Sequence, residues 1–352
     1  MTLFRHIERF GHESVTFFPD PASRMRMIVA VHSTVMGPAL GGCRMWPYAG
    51  LDEALEDVLR LSQAMTAKAV MAGLPFGGGK AVVLGDSKRE KDEALLLAVG
   101  RAVNGLGGRY IITEDVGITE EDMMVIARTT QWVTGRPLSE GGSGDPSEPT
   151  AIGVFTGIKV CLQQLGEDPT LRGKTLAIQG LGKVGSHLAR MAAAEGAKLF
   201  VSDIDSTRLE WAVTELGAHS VMPNEIGSVS CDVFAPCALG GVLNEKTVPV
   251  LNCRIVAGSA NNQLADEVDG DALFSRGILY APDYVINAGG LINLSFEPGG
   301  YDRDRALAKV REIPQTLMTL FQRARAESAP PFRVADQTVA ERLAEAREQG
   351  KG

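Results

Sequence analysis

Cysteine is scarce and badly placed for pairing: Cys43, Cys161, Cys231, Cys237 and Cys253 are an odd 5 in 352 residues, with no Cys-x-x-Cys among them. That pattern excludes a disulfide framework and a structural zinc site, and leaves small buried thiols. The 5 histidines (His6, His12, His32, His187, His219) are equally scattered, without the helical spacing that grips a metal, so no metal site is expected. No apolar run reaches membrane-spanning length, and no block of like charge stands out. With 35 basic against 43 acidic residues the net charge is −8, which argues against nucleic acid as a partner. The opening Met-Thr-Leu-Phe-Arg-His-Ile-Glu-Arg-Phe mixes charges among its apolar residues, unlike a signal peptide. A cytoplasmic protein with neither a membrane nor a nucleic-acid partner is expected.

What is present is an ordinary globular composition, 45% apolar and 22% charged, in a chain long enough to prefer two domains with a cleft between them. In the first half, Met25 to His32 reads as a strand and the segment from Gly37 to Gly42 as turn-rich. Apolar positions at Leu51, Leu55, Val58, Leu61 and Met65 predict a helix that delivers Lys68 just beyond its apolar stripe. The run Gly77-Gly-Gly leads to Lys80 and a strand; a helix from about Glu90 to Asn104 and a strand from Arg109 to Thr113 end at Glu114-Asp115. The Ser-, Gly- and Pro-rich stretch from Leu138 to Pro149 reads as a loop and hinge, after which Thr150 is expected to cap a helix.

Strands and helices then alternate: Thr175 to Gln179, Val184 to Glu195, Lys198 to Ser202, Ser206 to Leu216, Val233 to Pro236 and Arg254 to Gly258. Such alternation predicts a parallel sheet covered by helices on both faces. A helix from about Asp302 to Ala326, broken or kinked at Pro314, and a last one from Val334 to Arg347 close the chain. The expected fold is α/β in two domains: residues 1–147 as a mixed α/β domain with its polar chemistry at the strand ends, joined by a C-terminal helix, 328–352, and 148–327 as a doubly wound, Rossmann-type domain.

The strongest local signal is Gln179-Gly180-Leu-Gly182-Lys-Val-Gly185 between a predicted strand and helix, with Asp203 ending the next strand. This is the dinucleotide fingerprint in its required context. Gly180 permits the tight turn, Gly182 lets backbone approach the pyrophosphate, and Gly185 allows close helix packing. The N-terminus of the helix, with Lys183 and Val184 in its first turn, favours the phosphate charge. Asp203 suits the ribose hydroxyls and repels a phosphate there, so NAD is expected over NADP, with Arg208 nearby as the residue that could soften the preference. Glycines serving only a turn are the bland alternative.

Lys68 and Lys80 stand beside apolar or glycine-rich segments, not on charged helix faces. A lysine on apolar surface usually keeps its tip in water. Around Lys80, however, three glycines let the backbone close on a ligand, and burial there disfavours the charged form, which suits a general base. Asp115, at a strand end, is a candidate proton shuttle or a plain surface carboxylate. Spacing alone does not decide among these readings.

Leu40-Gly41-Gly-Cys-Arg-Met, Met65-Thr-Ala-Lys68, Gly77-Gly-Gly-Lys80, Thr113-Glu-Asp115-Val-Gly, the glycine fingerprint, Ala235-Pro-Cys-Ala238, Gly258-Ser-Ala-Asn-Asn262 and Pro282-Asp-Tyr-Val-Ile-Asn287-Ala-Gly-Gly resemble, in order and over nearly the whole chain, the leucine, valine, phenylalanine and tryptophan dehydrogenase branch of the glutamate dehydrogenase superfamily. The resemblance implies that Lys68 pairs with the substrate carboxylate, that Lys80 binds the amine and activates water, and that Asp115 relays protons. It implies that Leu40, Gly41, Met65, Thr113, Asn262, Leu291 and Leu294 surround the substrate. Thr150, Ala238, Asn262 and Asn287 join the fingerprint residues around the cofactor, and the chain is expected to form a homo-oligomer.

The expected reaction is reversible NAD-dependent oxidative deamination of an L-amino acid to its 2-oxo acid and ammonia. In the glutamate branch a lysine at the place resembling Leu40 meets the distal carboxylate; here that charge would lie against a leucine, so an apolar substrate is expected. Thr113, where alanine or glycine is usual, narrows the pocket and favours leucine or valine, with phenylalanine close behind. One methylene shifts such a preference by only about 1–3 kcal/mol. An NAD-dependent hydroxy-acid dehydrogenase is the competing enzyme class, weakened by the lack of a histidine in a catalytic setting. A non-catalytic NAD-binding protein of the same fold is the other, and the joint presence of Lys68, Lys80 and Asp115 argues against it.

Overall fold

A computed structural model describes residues 3–350, with side chains described from residue 7; the outermost residues of the expected first domain, 1–2 and 351–352, lie outside them. The chain divides into two compact units. The first comprises Met1–Asp145, Leu291–Ala306 and Val339–Gly352, the second Pro146–Gly290 and Leu307–Thr338. The sequence pattern did not mark the return of 291–306 to the first unit, and it drew the C-terminal segment of that unit eleven residues earlier, at 328 instead of 339. Among the described residues no helix is long and apolar enough to cross a membrane.

The first unit contains α1 (Leu3–Phe10), β1 (Ser14–Asp20), β2 (Met25–Ser33), β3 (Ala39–Trp46), α2 (Leu51–Met71), β4 (Gly77–Leu84), α3 (Glu93–Asn104), β5 (Tyr110–Thr113) and α4 (Glu120–Ile126). Its five strands form a mixed sheet in the order β1-β2-β4-β3-β5, with β3 parallel to both β4 and β5. Strand alternation sorts the side chains between two faces. Met27, Val29, Cys43, Met45, Ala81, Val83, Tyr110 and Ile112 pack with Leu95 and Val99 of α3 and Met123 and Ile126 of α4. Ile28, Ala30 and Val82 on the other face receive Ala54, Leu55, Val58 and Leu59 of α2.

Of the segment expected as turn-rich, Gly37 and Pro38 do form a bend, but Ala39 to Gly42 already belong to β3, and the glycine run expected as a lead-in opens β4. Close approach explains the strand glycines: a Cβ on Gly41 would lie 1.8 Å from the Gly79 carbonyl oxygen, and one on Gly78 2.1 Å from the Thr66 amide nitrogen. The sheet and α2 pack too tightly there for any side chain. α2 also runs further than expected, so that Lys68 stands in its last turn.

The second unit opens with α5 (Ser147–Gln164) and continues through β6 (Thr175–Gln179), α6 (Lys183–Ala194), β7 (Lys198–Ser202), α7 (Ser206–Leu216), β8 (His219–Ser220), β9 (Cys231–Pro236), β10 (Cys253–Val256), α8 (Glu267–Ser275), β11 (Leu279–Tyr280) and α9 (Asp283–Ile286). Its sheet has the order β11-β10-β9-β6-β7-β8, every pair parallel. This is a Rossmann-type sheet, and the chain reverses direction across it between β6 and β9. In open parallel sheets ligands bind beyond the strand C-termini at such a reversal.

Thr150 does not cap α5. The helix begins three residues earlier, and the Thr150 hydroxyl donates back to the Pro146 carbonyl, 2.7 Å away. The remaining helices are α10 (Gly289–Ser295), α11 (Arg303–Val310), α12 (Ile313–Glu327) and α13 (Pro331–Glu348). The long helix expected over 302–326 is thus two, with Pro314 in the first turn of the second, where its missing N–H costs nothing.

Candidate active site

In the first unit the alternation that fills the core also collects the polar groups. Leu40, Gly42 and Arg44 of β3 share a face with Gly78, Lys80 and Val82 of β4, and Thr113 of β5 pairs in register with Gly42. α2 covers this face, carrying Met65 and Lys68 three residues apart on one side of the helix, both half-buried. Gly42 is the glycine that matters here: a Cβ on it would stand 2.9 Å from Lys80 Nζ and 2.8 Å from the Asp115 Cβ. Gly41, one position earlier, points to the opposite face of β3, and its carbonyl accepts from the Tyr110 hydroxyl at 2.7 Å.

Lys80 is buried, and its Nζ lies 2.7 Å from Asp115 Oδ2. The same carboxylate oxygen accepts from Arg44 Nε at 3.1 Å. Burial opposes ionisation of Asp115, but the charges of Lys80 and Arg44 and the Val116 amide outweigh it and hold the carboxyl down to about 2. The arrangement is an amine and a carboxylate in contact, able to exchange a proton with each other.

Leu40 is fully buried, and Thr113, Leu291 and Leu294 are buried within the same unit. A Cβ on Gly135 would lie 2.5 Å from Thr113 Oγ1 and 3.4 Å from Leu294 Cδ2, so these three residues enclose one corner. Thr113 Oγ1 is buried there without a hydrogen-bond partner. Buried Glu297 fixes that corner: its Oε2 accepts from the Gly135 amide (2.7 Å) and from the Ser143 amide and hydroxyl, while Oε1 meets Arg136 Nε (2.9 Å). Sequence reading missed Arg44, Asp57, Gly135 and Glu297. Arg44 could have been found by alternation, as the next residue on the Leu40 and Gly42 face.

In the second unit the glycine turn follows β6. Gly180 has φ +99°, and a Cβ on it would strike Ala238, 2.8 Å away, at the end of β9. Gly185 touches the Gly180 carbonyl, where a Cβ would be 2.0 Å from the oxygen. Gly182 caps α6 with no side-chain hydrogen bond, and only Arg208 comes as near as 4.0 Å to the space where its side chain would be. The first-turn amides of α6, at Lys183 and Val184, therefore face room for an anion. Asp203 Oδ2 accepts from the Leu181 amide (2.6 Å) and Oδ1 from the Asp205 amide (2.9 Å), which ties the acid to the glycine turn. Arg208 lies 3.9 Å from Asp203 and 3.3 Å from Asp205.

Asn287 is buried, donates to the Ser259 carbonyl (3.0 Å) and Asn261 Oδ1 (3.0 Å), and leaves its own Oδ1 unbonded. Asn262, in the neighbouring turn, adopts φ +51° and accepts from the Gly241 amide at 2.7 Å. Thr150 packs against Gly290, where a Cβ would be 2.7 Å from its hydroxyl. An uncapped helix over a glycine turn, an acid at the next strand end and an orphaned buried acceptor fit a dinucleotide with a carboxamide at one end.

Burial pushes all five thiols up, Cys43 and Cys231 to about 12 and Cys253 to about 11, so none is a ready nucleophile. No group of His, Cys, Asp and Glu among the described residues is arranged to hold a metal.

Two family models match the chain: the Glu/Leu/Phe/Val dehydrogenase dimerisation domain over residues 12–132, and Glutamate/Leucine/Phenylalanine/Valine dehydrogenase over 141–210 and 201–349. A leucine dehydrogenase of Geobacillus stearothermophilus is 47% identical over 97% of this chain and 94% of its own length. A valine dehydrogenase of Streptomyces albus is 47% identical over 98% and 96%. Among solved structures, the L-tryptophan dehydrogenase of Nostoc punctiforme superposes with a TM-score of 0.84 at 41% identity, covering 98% of this chain and all of that one.

Proposed function

The chain belongs to the glutamate, leucine, phenylalanine and valine dehydrogenase family, and from that membership we propose that it catalyses the reversible, NAD-dependent oxidative deamination of an apolar L-amino acid to the 2-oxo acid and ammonia. The observation that carries the reading is the contact of Lys80 with Asp115 beside Gly42, on a sheet face that also carries the buried Leu40 and Thr113.

Lys68 holds the substrate carboxylate and fixes its orientation. Lys80 binds the amine and, when neutral, takes a proton from the water that attacks the imine. Asp115 passes protons to and from the amine and hydroxyl of the resulting carbinolamine. A bound nicotinamide would supply the hydride acceptor for the substrate α-carbon. Gly180, Gly182, Lys183, Val184 and Gly185 hold the pyrophosphate, Asp203 the ribose, and Thr150, Ala238, Asn262 and Asn287 the nicotinamide end.

Leu40 leaves no cation for a distal carboxylate, so glutamate is excluded by an unpaired buried charge. Thr113, Met65, Leu291 and Leu294 bound a side-chain space for leucine or valine first and phenylalanine next. Asp203 favours NAD over NADP. The protein acts in the cytoplasm as a homo-oligomer, consistent with the dimerisation domain matched by its first unit.

The test is reduction of NAD⁺ and of NADP⁺ by L-leucine, L-valine, L-phenylalanine, L-tryptophan, L-glutamate and L-lactate at alkaline pH. Turnover of NAD⁺ with leucine or valine, and none with glutamate or lactate, is expected. Turnover with glutamate alone would overturn the role of Leu40. Turnover with lactate alone, or none despite NAD⁺ binding, would overturn the roles of Lys68, Lys80 and Asp115.

A further inference from the structure

Arg44 is a half-buried guanidinium on the site face of β3 that the roles above leave unused. Its Nε reaches Asp115 Oδ2 at 3.1 Å, and its NH1 reaches both carboxylate oxygens of Asp57 on α2, at 3.0 and 3.3 Å. Asp57 in turn accepts from the Tyr48 hydroxyl at 2.5 Å. The chain of contacts runs Tyr48, Asp57, Arg44, Asp115, Lys80, with side chains less than one-third exposed at Arg44 (24%), Asp57 (28%) and Asp115 (21%).

A simple ion pair would not need this. Lys80 alone neutralises Asp115 when charged, yet a base must spend part of the cycle neutral, and then Asp115 loses that partner. A guanidinium never gives up its proton, and its planar fork can hold two carboxylates at fixed angles, which an ammonium cannot. We infer that Arg44 is a positioning residue for the reaction: braced by Asp57, it anchors the Asp115 carboxylate in place while Lys80 passes between its charged and neutral forms. The inference rests on the proposed deamination, in which Asp115 relays protons.

The groups that face Asp115 are few. Lys80 comes from β4, Arg44 from β3 and the Val116 amide from its own segment, with Asp57 and Tyr48 reaching it through Arg44. Cys43 and Tyr110 approach from the other side of the sheet, and burial pushes both up, so they stay neutral. Loss of the Arg44 charge therefore lets Asp115 keep its proton to higher pH.

The experiment compares Arg44→Met, Arg44→Lys and Asp57→Asn with the parent, using L-leucine and NAD⁺ across pH, with NADH binding and the thermal midpoint as checks on folding. In Arg44→Met, kcat is expected to fall about 100-fold, the loss that follows a misplacement of about 1 Å. Its leucine KM and NADH affinity should change little. Arg44→Lys keeps the charge but recovers only part of kcat because it cannot also hold Asp57. Asp57→Asn loses about tenfold in kcat at an unchanged leucine KM. A parental kcat for Arg44→Met, or a loss of kcat matched by an equal change in leucine KM or NADH affinity, would overturn the inference alone; a parent with no turnover of any apolar amino acid would overturn the functional reading beneath it. If Arg44→Met does not fold, Arg44→Lys decides: a kcat at least fivefold below the parent's supports the positioning role, and a parental kcat refutes it.

Discussion

In the second unit, the groups proposed to hold a dinucleotide's phosphates lie on one turn, residues 180–185, whereas in the first unit Arg44, Asp57, Lys80 and Asp115 come from β3, α2, β4 and the segment after β5. The two designs use glycine differently. At Gly180 a positive φ and contact with Ala238 shape a tight turn. At Gly41, Gly42, Gly78 and Gly79 glycine sits in extended strands and lets a sheet, a helix and two charged side chains approach one another. A binding loop can therefore be written in consecutive residues, while a proton-exchanging pair must be assembled by the fold.

Separating the two halves by mutation is the sharpest way to break this contrast. Lys80→Ala should lower kcat by about 1,000-fold or more, within the range for loss of a general base. NADH affinity, read by fluorescence titration, should stay at the parent's value; a parallel loss of NADH binding would mean that the lysine serves the cofactor.

A second pair of variants tests the two uses of glycine. Gly180→Ala meets both an unfavourable φ and Ala238, and is expected to weaken NADH binding by ten- to a hundredfold, from a strain of about 1–3 kcal/mol. Gly42→Ala should leave NADH binding alone and lower kcat, because its methyl would displace Lys80 and Asp115. Equal effects of both variants on both readouts would erase the distinction.

The smallest effect is on stability in acid, and it belongs to the first unit. His12 donates to or accepts from Ser62 Oγ at 2.7 Å and stacks edge-on to His32, 4.9 Å away between ring centroids. Burial, then the charge of His32, pushes His12 down from 6.5 to about 3, and burial also lowers His32. In the unfolded chain these imidazoles take up protons below about 6.5, so the stability from their neutral forms is full above that pH and is lost as pH falls toward 3. Asp115 adds a loss below its ordinary carboxylate range, complete near pH 2. The thermal midpoint should fall steadily from pH 6.5 to pH 4, and His12→Gln should flatten that slope.

The same contrast explains what could be read from the chain. The alternation of strands and helices from Thr175 onward and the glycine fingerprint are local signals, and the parallel sheet follows them closely. The strand at Ala39–Trp46 was hidden because glycine and proline read as a turn, while the cause of those glycines, the carbonyl of Gly79 and the amide of Thr66, lies elsewhere in the chain. Thr150 offered a good cap in composition, but α5 starts at Ser147 and uses its hydroxyl internally. Lys80 and Asp115 were legible as candidates. Glu297 was not, because the amides it holds become neighbours only in the folded unit, and Arg44 was open only to strand alternation once the strand at Ala39–Trp46 was recognised.

The central claim, that a hydrogen leaves the α-carbon of an apolar amino acid and its nitrogen leaves as ammonia, is tested most directly with L-leucine carrying deuterium at Cα and ¹⁵N at the amine. The account predicts one equivalent of deuterated reduced cofactor and one of ¹⁵N-ammonium for each 2-oxo acid formed. Reduced cofactor without deuterium, or oxidation without release of ¹⁵N-ammonium, would contradict it.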